Sequence, residues 1–299
     1  AKGRVLVGFR EKFSNYIAVI EQCPILEPGV GNRLMALSEF IESLSIPDQV
    51  PQIEVAIGDE TTALVFRHLK PFTVEDIEKL GRFGNDNEMQ IYLQPGGPDT
   101  VSLLWPESAP LFYRLPNHDV RLDFQPGDFT QINPVINRQM VDRAIELLDI
   151  STEDRILDLF CGLGNFTLPL ARHAASVVGV EGEAGLVARA EANAQSNGIH
   201  NAEFHAADLT KDHAGTSWLK IPFDAVLLDP PRSGAAEVIP HVAALGARRL
   251  VYVSCHPATL ARDAGLLVHD HGYRLSKAGV MDMFPHTAHV ESIALFEKE

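Results

Sequence analysis

The sequence predicts an α/β fold: a doubly wound parallel sheet closed by an antiparallel C-terminal strand pair, preceded by a smaller α+β domain. Three observations predict it. From residue 128 onward, short apolar runs alternate with helical stretches, the pattern of a parallel sheet buried on both faces. The last two runs, residues 273–281 and 289–296, have no helix between them, so they pair directly and antiparallel. Before residue 124 the pattern is irregular, with short β-like runs and one or two amphipathic helical stretches. A boundary at residues 126 and 127 therefore separates an α+β domain (1–126) from the α/β domain (127–299).

The elements follow in order. Residues 4–9, 52–57, 62–66 and 90–93 read as strands, and Gly96-Gly97-Pro98 and Trp105-Pro106-Glu107 supply turns. A helix over 133–148 leads into the apolar run 155–160. A helix follows, then a strand at 176–181 and a long helix closed by Gly198 at its C′ position. Strands at 223–229 and 249–254 come next, and a helix begins at Pro257, a favoured first-turn residue. The N-terminus, Ala1-Lys2-Gly3-Arg4-Val5-Leu6-Val7, lacks a secretory pattern. It reads as a strand entered in mid-domain, which implies a piece of a longer protein.

Composition narrows the functional classes. No apolar run approaches the roughly 20 residues of a spanning helix, so no membrane association is expected. Three cysteines, Cys23, Cys161 and Cys255, make no disulfide framework and suit a reducing cytoplasm. The net charge of −15 opposes nucleic acid binding unless a local basic patch or a basic module outside this chain supplies the grip. His269 and His271 converge with no cysteine, which disfavours a zinc site.

Asp158-Leu-Phe-Cys161-Gly162-Leu-Gly164-Asn165 sits where the first strand of the α/β domain turns into a helix. Glycines there let the backbone approach a ligand closely. A dinucleotide-binding loop would place a third glycine where Thr167 stands, and the preceding Asp158 disfavours a pyrophosphate. A cationic sulfonium ligand with an ammonium group fits better. Glu181, ending the second strand, can accept both ribose hydroxyls, and Asp208, after the run 202–205, can take the adenine amino group. Solvated strand ends would explain any one of these carboxylates, but not all three at successive strands. Cys161 reads as a small loop filler.

Asp229-Pro230-Pro231-Arg232 closes the next strand, and Val253-Ser254-Cys255-His256-Pro257 closes the one after. An acidic residue before Pro-Pro occurs in enzymes that methylate exocyclic amines, where the next residue is an aromatic that stacks on the base. Arg232 stands there instead. A lone cysteine at a strand end is often a buried hydrophobe, but its neighbours here favour chemistry. Methylation at C5 of a pyrimidine needs a thiolate to add at C6, a base to remove the C5 proton and groups that orient and polarise the ring. Cys255 can be the nucleophile and Glu291 the base, with Asp229 and Arg232 on the ring. The run Met281-Asp-Met-Phe-Pro-His286-Thr-Ala-His289 reads as a substrate-facing loop between the last two strands.

Taken together, Asp158-Leu-Phe-Cys-Gly-Leu-Gly-Asn165, Asp229-Pro-Pro-Arg232, Ser254-Cys-His-Pro257 and Phe284-Pro-His-Thr-Ala-His-Val-Glu291 resemble the signature set of the RNA uracil-5 methyltransferases. Asp128-Phe129-Thr130-Gln131-Ile132-Asn133 resembles that family's entry to the catalytic domain. The resemblance implies a Rossmann-like methyltransferase sheet and S-adenosylmethionine as methyl donor. It implies cofactor contacts from Gln131, Phe160, Gly162, Gly164, Asn165, Glu181, Asp208 and Asp229, and substrate contacts from Phe129, Arg232 and His286. Cys255 would be the nucleophile and Glu291 the base, with Asp229 beside them. Where this sequence has His256, the family usually has Asn.

Within the family, Gln22-Cys23-Pro24-Ile25, Ser254-Cys-His-Pro-Ala-Thr-Leu-Ala-Arg-Asp263 and Asp282-Met-Phe-Pro-His resemble the branch acting on 23S rRNA, free or in an assembly intermediate. In that branch a cysteine like Cys23 is the last of four ligands to a [4Fe–4S] cluster. With no cysteine before Cys23, the cluster is expected in a full-length protein only and not in this chain. A tRNA-directed enzyme and a catalytically idle RNA-binding assembly factor are the competing readings. A monomer is the expected state.

Overall fold

A computed structural model of the chain describes residues 4–108, 110–211, 216 and 218–299. The chain divides into two compact units, one of residues 1–112 with 125–128, the other of 113–124 with 129–299. The segment 113–124, which the sequence reading places in the first domain, belongs by its contacts to the second.

The first unit contains helices α1 (Pro28–Gly31) and α2 (Leu34–Glu42), strands β1 (Gln52–Ile57) and β2 (Thr62–Arg67), helix α3 (Val74–Asn87), and strands β3 (Met89–Gln94) and β4 (Ser102–Trp105). The strands form one mixed sheet in the order β1-β2-β3-β4. Helix α3 crosses between β2 and β3, which are therefore parallel. Its N-terminus carries a reciprocal cap: the Thr73 hydroxyl accepts from the Asp76 N–H while the Asp76 carboxylate accepts from the Thr73 N–H. Leu37, Ile41, Leu64, Phe66, Leu80 and Ile91 fill the core between α2, α3 and the sheet. Residues 4–9 form no strand; the nearest pairing is an isolated bridge between Arg10 and Ile17. An apolar run becomes a strand only where a neighbouring strand takes its backbone hydrogen bonds in a ladder; here the Phe9 carbonyl accepts from the Ala18 N–H at 2.8 Å and the Val5 carbonyl from the Ser38 hydroxyl, without a ladder.

The second unit opens with the hairpin of β5 (Phe112–Leu115) and β6 (Val120–Asp123). Helix α4 (Pro134–Leu148) then leads into β7 (Arg155–Leu159), α5 (Thr167–Ala171), β8 (Ser176–Glu181), α6 (Ala184–Ser196) and β9 (Ala202–Ala206). After these come β10 (Ala225–Leu228), α7 (Ile239–Ala244), β11 (Arg249–Ser254), α8 (Pro257–Gly265), β12 (Tyr273–Met281) and β13 (Glu291–Lys298). The seven strands run in the order β12-β13-β11-β10-β7-β8-β9. From β11 to β9 all pairings are parallel, whereas β13 lies antiparallel to both β11 and β12. The predicted α/β sheet with its antiparallel C-terminal pair is the observed one.

The reason is legible along each strand. In β7, β10 and β11 nearly every residue is buried, because helices cover both faces. The core between the sheet and the helices on one face includes Leu157, Val178, Val226, Ile239, Tyr252 and Phe296. The chain winds outward from β7 in both directions, so the sheet has its switch point between β7 and β10. Ligands of such sheets bind beyond the carboxyl ends of the strands at that crevice. No helix among the described residues is long and apolar enough to cross a membrane.

Candidate active site

Register alone brings the predicted residues to one edge of the sheet. Asp158 lies on β7, with the loop 160–165 directly after it; Glu181 ends β8 and Asp208 follows β9. Asp229 follows β10 and Cys255 follows β11. Ser254 is paired with Ser292 across the antiparallel β11–β13 ladder, so the next residues outward are Cys255 and Glu291. The reversal of direction in β13 thus sets the start of one strand beside the end of its neighbour.

The loop after β7 is built for close approach. Phe160 adopts φ 65, a strained left-handed conformation for an aromatic residue, and Gly162 and Gly164 have φ 56 and 98. The Phe160 and Cys161 N–H groups both donate to the Val180 carbonyl, at 2.8 and 3.1 Å. A Cβ at Gly162 would meet nothing within 4 Å, which leaves the loop open there. Cys161 is buried against Gly179, the packing role expected for it.

Asp158 is fully buried. One carboxylate oxygen accepts from the Thr167 hydroxyl at 2.5 Å, and the other, Oδ1, is buried with no hydrogen-bond partner. Burial, followed by the negative charges of Asp229 and Glu181, raises its pKa to about 8. An acceptor left unpaired in this way is costly unless a ligand donor meets it. A cationic ligand with an ammonium group suits the donor set, so the residues present fit S-adenosylmethionine.

Glu181 is more committed than the sequence suggested. Oε2 accepts from the Gly162 N–H at 3.0 Å, and Oε1 from the Gly182 and Glu183 N–H groups at 2.7 and 3.1 Å. Of roughly four acceptor positions on a carboxylate, one remains. Binding both ribose hydroxyls therefore requires one backbone bond to lengthen. Asp208 is exposed; its pKa is lowered by the Thr210 hydroxyl at 2.6 Å and by Lys211, 2.9 Å away.

Asn165 is held in a reciprocal amide pair. Its Oδ1 accepts from Asn137 Nδ2 at 3.0 Å while its Nδ2 donates to Asn137 Oδ1 at 2.9 Å, and the Tyr113 hydroxyl also donates to Oδ1. This bond set fixes the loop to α4 and to the hairpin. Asn137 and Tyr113 were not singled out from the sequence, because residues 28 and 52 positions from Asn165 carry no local signal. Gln131 is half-buried just before α4, whereas Phe129, Arg232 and His286 are exposed. His286 has φ 63 in the turn between β12 and β13, where Phe284 and His289 meet edge to face at 5.8 Å.

The remaining groups interact by charge. Burial raises the Asp229 carboxyl to about 7. Burial and the Asp229 charge raise Glu291 to about 8. The Cys255 thiol is raised by burial and then by Glu291 and Asp229, while Arg232 pulls the other way. Burial, joined at Glu291 and Cys255 by charge repulsion, thus raises the proton affinity of all three groups, the condition in which carboxylates and a thiol can exchange protons near neutral pH. His256, in the Asn position of the signature, caps α8: its Nδ1 accepts from the Thr259 N–H at 3.3 Å. The imidazole does the work of the usual amide cap, which needs the tautomer with hydrogen on Nε2.

Cys23 is buried in the first unit. No three His, Cys, Asp or Glu side chains stand together as metal ligands among the described residues. A [4Fe–4S] cluster takes four thiolates, so these residues do not fit one.

The sheet order, the open glycine loop and the buried Asp158 with its one unpaired oxygen are those of an S-adenosylmethionine-dependent methyltransferase. The family model for tRNA (uracil-5-)-methyltransferase matches residues 113–299. A 23S rRNA (uracil(1939)-C(5))-methyltransferase RlmD from Alkalilimnicola ehrlichii is 61% identical over the whole chain, which spans 67% of that protein. Its counterpart from Methylococcus capsulatus is 57% identical, over 99% of this chain and 67% of its own length. The crystal structure of Pyrococcus abyssi tRNA (uracil-54, C5)-methyltransferase with S-adenosyl-L-homocysteine superposes with a TM-score of 0.75 at 25% identity. That match covers 98% of this chain and 74% of the other. The chain belongs to the RNA (uracil-5-)-methyltransferase family.

Proposed function

We propose that this chain transfers a methyl group from S-adenosylmethionine to C5 of a uridine in 23S rRNA, through a covalent bond between Cys255 and C6. The observation that carries the reading is the convergence of Asp229, Cys255 and Glu291 at the edge that holds the Asp158 loop. Bound S-adenosylmethionine supplies an electrophilic methyl group. Cys255 passes its proton to solvent and its sulfur adds to C6, moving the ring electrons towards O4, where the cationic Arg232 and, when protonated, Asp229 can stabilise them. C5, now nucleophilic, would take the methyl group as the methyl–sulfonium bond breaks and its electron pair stays on the donor sulfur. Glu291 then removes the C5 proton, the C5–C6 double bond re-forms, and the C6–S bond breaks with the electron pair returning to sulfur. A carboxylate whose proton affinity lies near neutral pH is a better base than an ordinary one.

Asp158 would face the ammonium group, Glu181 the ribose and Asp208 the adenine, with Gln131, Phe160, Gly162, Gly164 and Asn165 shaping the cofactor loop. Phe129 and His286 would contact the RNA. The rRNA substrate is favoured over tRNA by identities of 61% and 57% to the rRNA enzymes, against 25% to the tRNA enzyme. Cys23 would ligate a [4Fe–4S] cluster only in a longer protein that supplies three further thiolates, and the chain would act as a monomer. The test is to incubate the protein with methyl-labelled cofactor and either a 23S rRNA fragment or a tRNA T-arm, then analyse the nucleosides. Labelled 5-methyluridine from the 23S fragment is expected. Label in the T-arm alone would move the reading to tRNA, and label in neither would remove it.

A further inference from the structure

One fully buried carboxylate outside the reacting groups ties the loop that carries Asp229 to the strand that leads into Cys255. Asp263, on α8, has one oxygen, Oδ2, that accepts from the Tyr252 hydroxyl at 2.6 Å and from the Ala235 N–H at 2.8 Å. Its other oxygen accepts from the Arg262 guanidinium at 2.8 Å, and Arg262 in turn donates to the Ser233 carbonyl at 2.8 Å. Tyr252 lies on β11, three residues before Cys255. Ser233 and Ala235 lie in the loop that begins with Asp229-Pro-Pro-Arg232, which also turns through a Gly234 N–H to Pro231 carbonyl bond of 2.9 Å.

Gly234 shows how closely the loop is pressed onto this group. It has φ 84, and a Cβ there would lie 2.6 Å from Asp263 Oδ2 and 2.4 Å from the Arg262 guanidinium. The loop therefore touches the carboxylate with its backbone. Only glycine permits both the conformation and the approach.

We propose that Asp263 is a positioning residue that sets the spacing between the Asp229–Arg232 loop and Cys255. It rests on the reading that these groups act together on the uracil ring. The argument is one of connection. The segment after β10 and the end of β11 are neighbours in the sheet, but the sheet ladder stops at Leu228 and Tyr252. Beyond that point the two segments no longer pair with each other: β11 continues to Ser254 against β13, and the Asp229 N–H donates to the Leu159 carbonyl of β7 at 3.3 Å. Asp263 then joins the loop amide of Ala235, the strand hydroxyl of Tyr252 and its own helix, whose first residues follow Cys255. A misplacement of about 1 Å in a reacting group can cost on the order of a hundredfold in rate, so such a tie acts on chemistry without touching substrate.

The experiment compares Asp263→Asn and Tyr252→Phe with the parent chain in three measurements. Asparagine turns an N–H towards either Arg262 or the Tyr252–Ala235 pair and so loses one arm. Cofactor affinity is expected to stay within about threefold, whereas the rate of covalent adduct formation with 5-fluorouridine RNA falls about tenfold or more. Amide exchange at Ala235 is expected to accelerate while the strands keep their protection. Arg232→Ala should cost much less in the Asp263→Asn background than alone, because the loop is already misplaced. Tyr252→Phe removes one hydroxyl only and keeps the inference testable if Asp263→Asn does not fold. A folded variant with parent-like adduct rate and parent-like exchange at Ala235 overturns the proposal. So does a loss confined to melting temperature and cofactor affinity. If the parent itself forms no adduct, the functional reading fails, while the exchange measurement still decides whether Asp263 holds the loop.

Discussion

Burial and the neighbouring Asp229 charge raise the proton affinity of Glu291. If it is the base that takes the C5 proton, Glu291→Gln keeps the shape and stops the last step. The protein should then remain bound to methylated RNA through the C6–S bond. A denaturing gel with methyl-labelled cofactor checks this: label is expected at the size of the protein–RNA adduct. Free methylated RNA at the parent rate would assign the base elsewhere. Asp158 gives a second test at this scale, through pH. Its pKa in the fold is about 8, above the usual carboxylate value of 3.8. Between those limits the unfolded chain ionises while the folded one stays protonated. Its stabilising contribution is therefore complete below about pH 4 and lost as pH rises towards 8. Asp158→Asn removes that slope, so the melting temperature of the parent should fall more steeply from pH 5 to 8 than that of the variant. A cationic ligand favours the ionised form, and S-adenosylmethionine affinity measured by calorimetry should rise over the same range. A flat affinity would show that Asp158 does not face the ligand's charge.

At the scale of elements, helix α8 carries both a substitution in the family signature and the Asp263 tie. His256 caps its first turn through Nδ1. Replacing a capping side chain with alanine costs about 1 kcal/mol, so His256→Ala should lower stability by about that much in denaturant titration. His256→Asn, with the usual cap, should leave it unchanged or raise it. Equal loss in both variants would mean that the ring packs rather than caps. The strands of the second unit were largely legible: the runs 176–181, 249–254 and 273–281 have the bounds predicted. Apolar residues buried on both faces leave an unbroken signal. Less legible was the run at 4–9, which is apolar but has no partner strand among the described residues. The networks around Asn165 and Asp263 were hidden for another reason. Their members come from different elements, and a Tyr, an Asn or an Asp in isolation has no pattern until the fold brings it to its partner. Glu181 and Asp229, by contrast, announced themselves at strand ends beside Gly182 and Pro230, and Cys255 as a thiol just past the end of a strand.

At the scale of the whole molecule, the net charge of −15 bears on how the chain meets RNA. Few phosphate contacts mean a shallow dependence of affinity on salt, since each neutralised phosphate of a single strand adds a slope of about 0.7. A 23S rRNA fragment titrated between low and moderate salt should bind weakly, with a slope equivalent to one to three contacts at most. A steep slope would show a basic face that the charge total conceals. Membership in a family that modifies RNA is compatible with this acidic chain because the proposed chemistry needs a nucleophile, a base and a cofactor loop, and the residues proposed for all three lie at strand ends of the second unit. The central claim is the covalent bond to Cys255, and 5-fluorouridine tests it most directly, because the proposed base Glu291 would be unable to remove fluorine as it would a proton. With S-adenosylmethionine and a 23S rRNA fragment containing 5-fluorouridine, the parent should form an adduct that survives denaturation and carries one methyl group by mass. Cys255→Ala should form none while binding the cofactor as the parent does. An adduct of equal yield from Cys255→Ala, or one mapped by peptide mass to another residue, would contradict the mechanism.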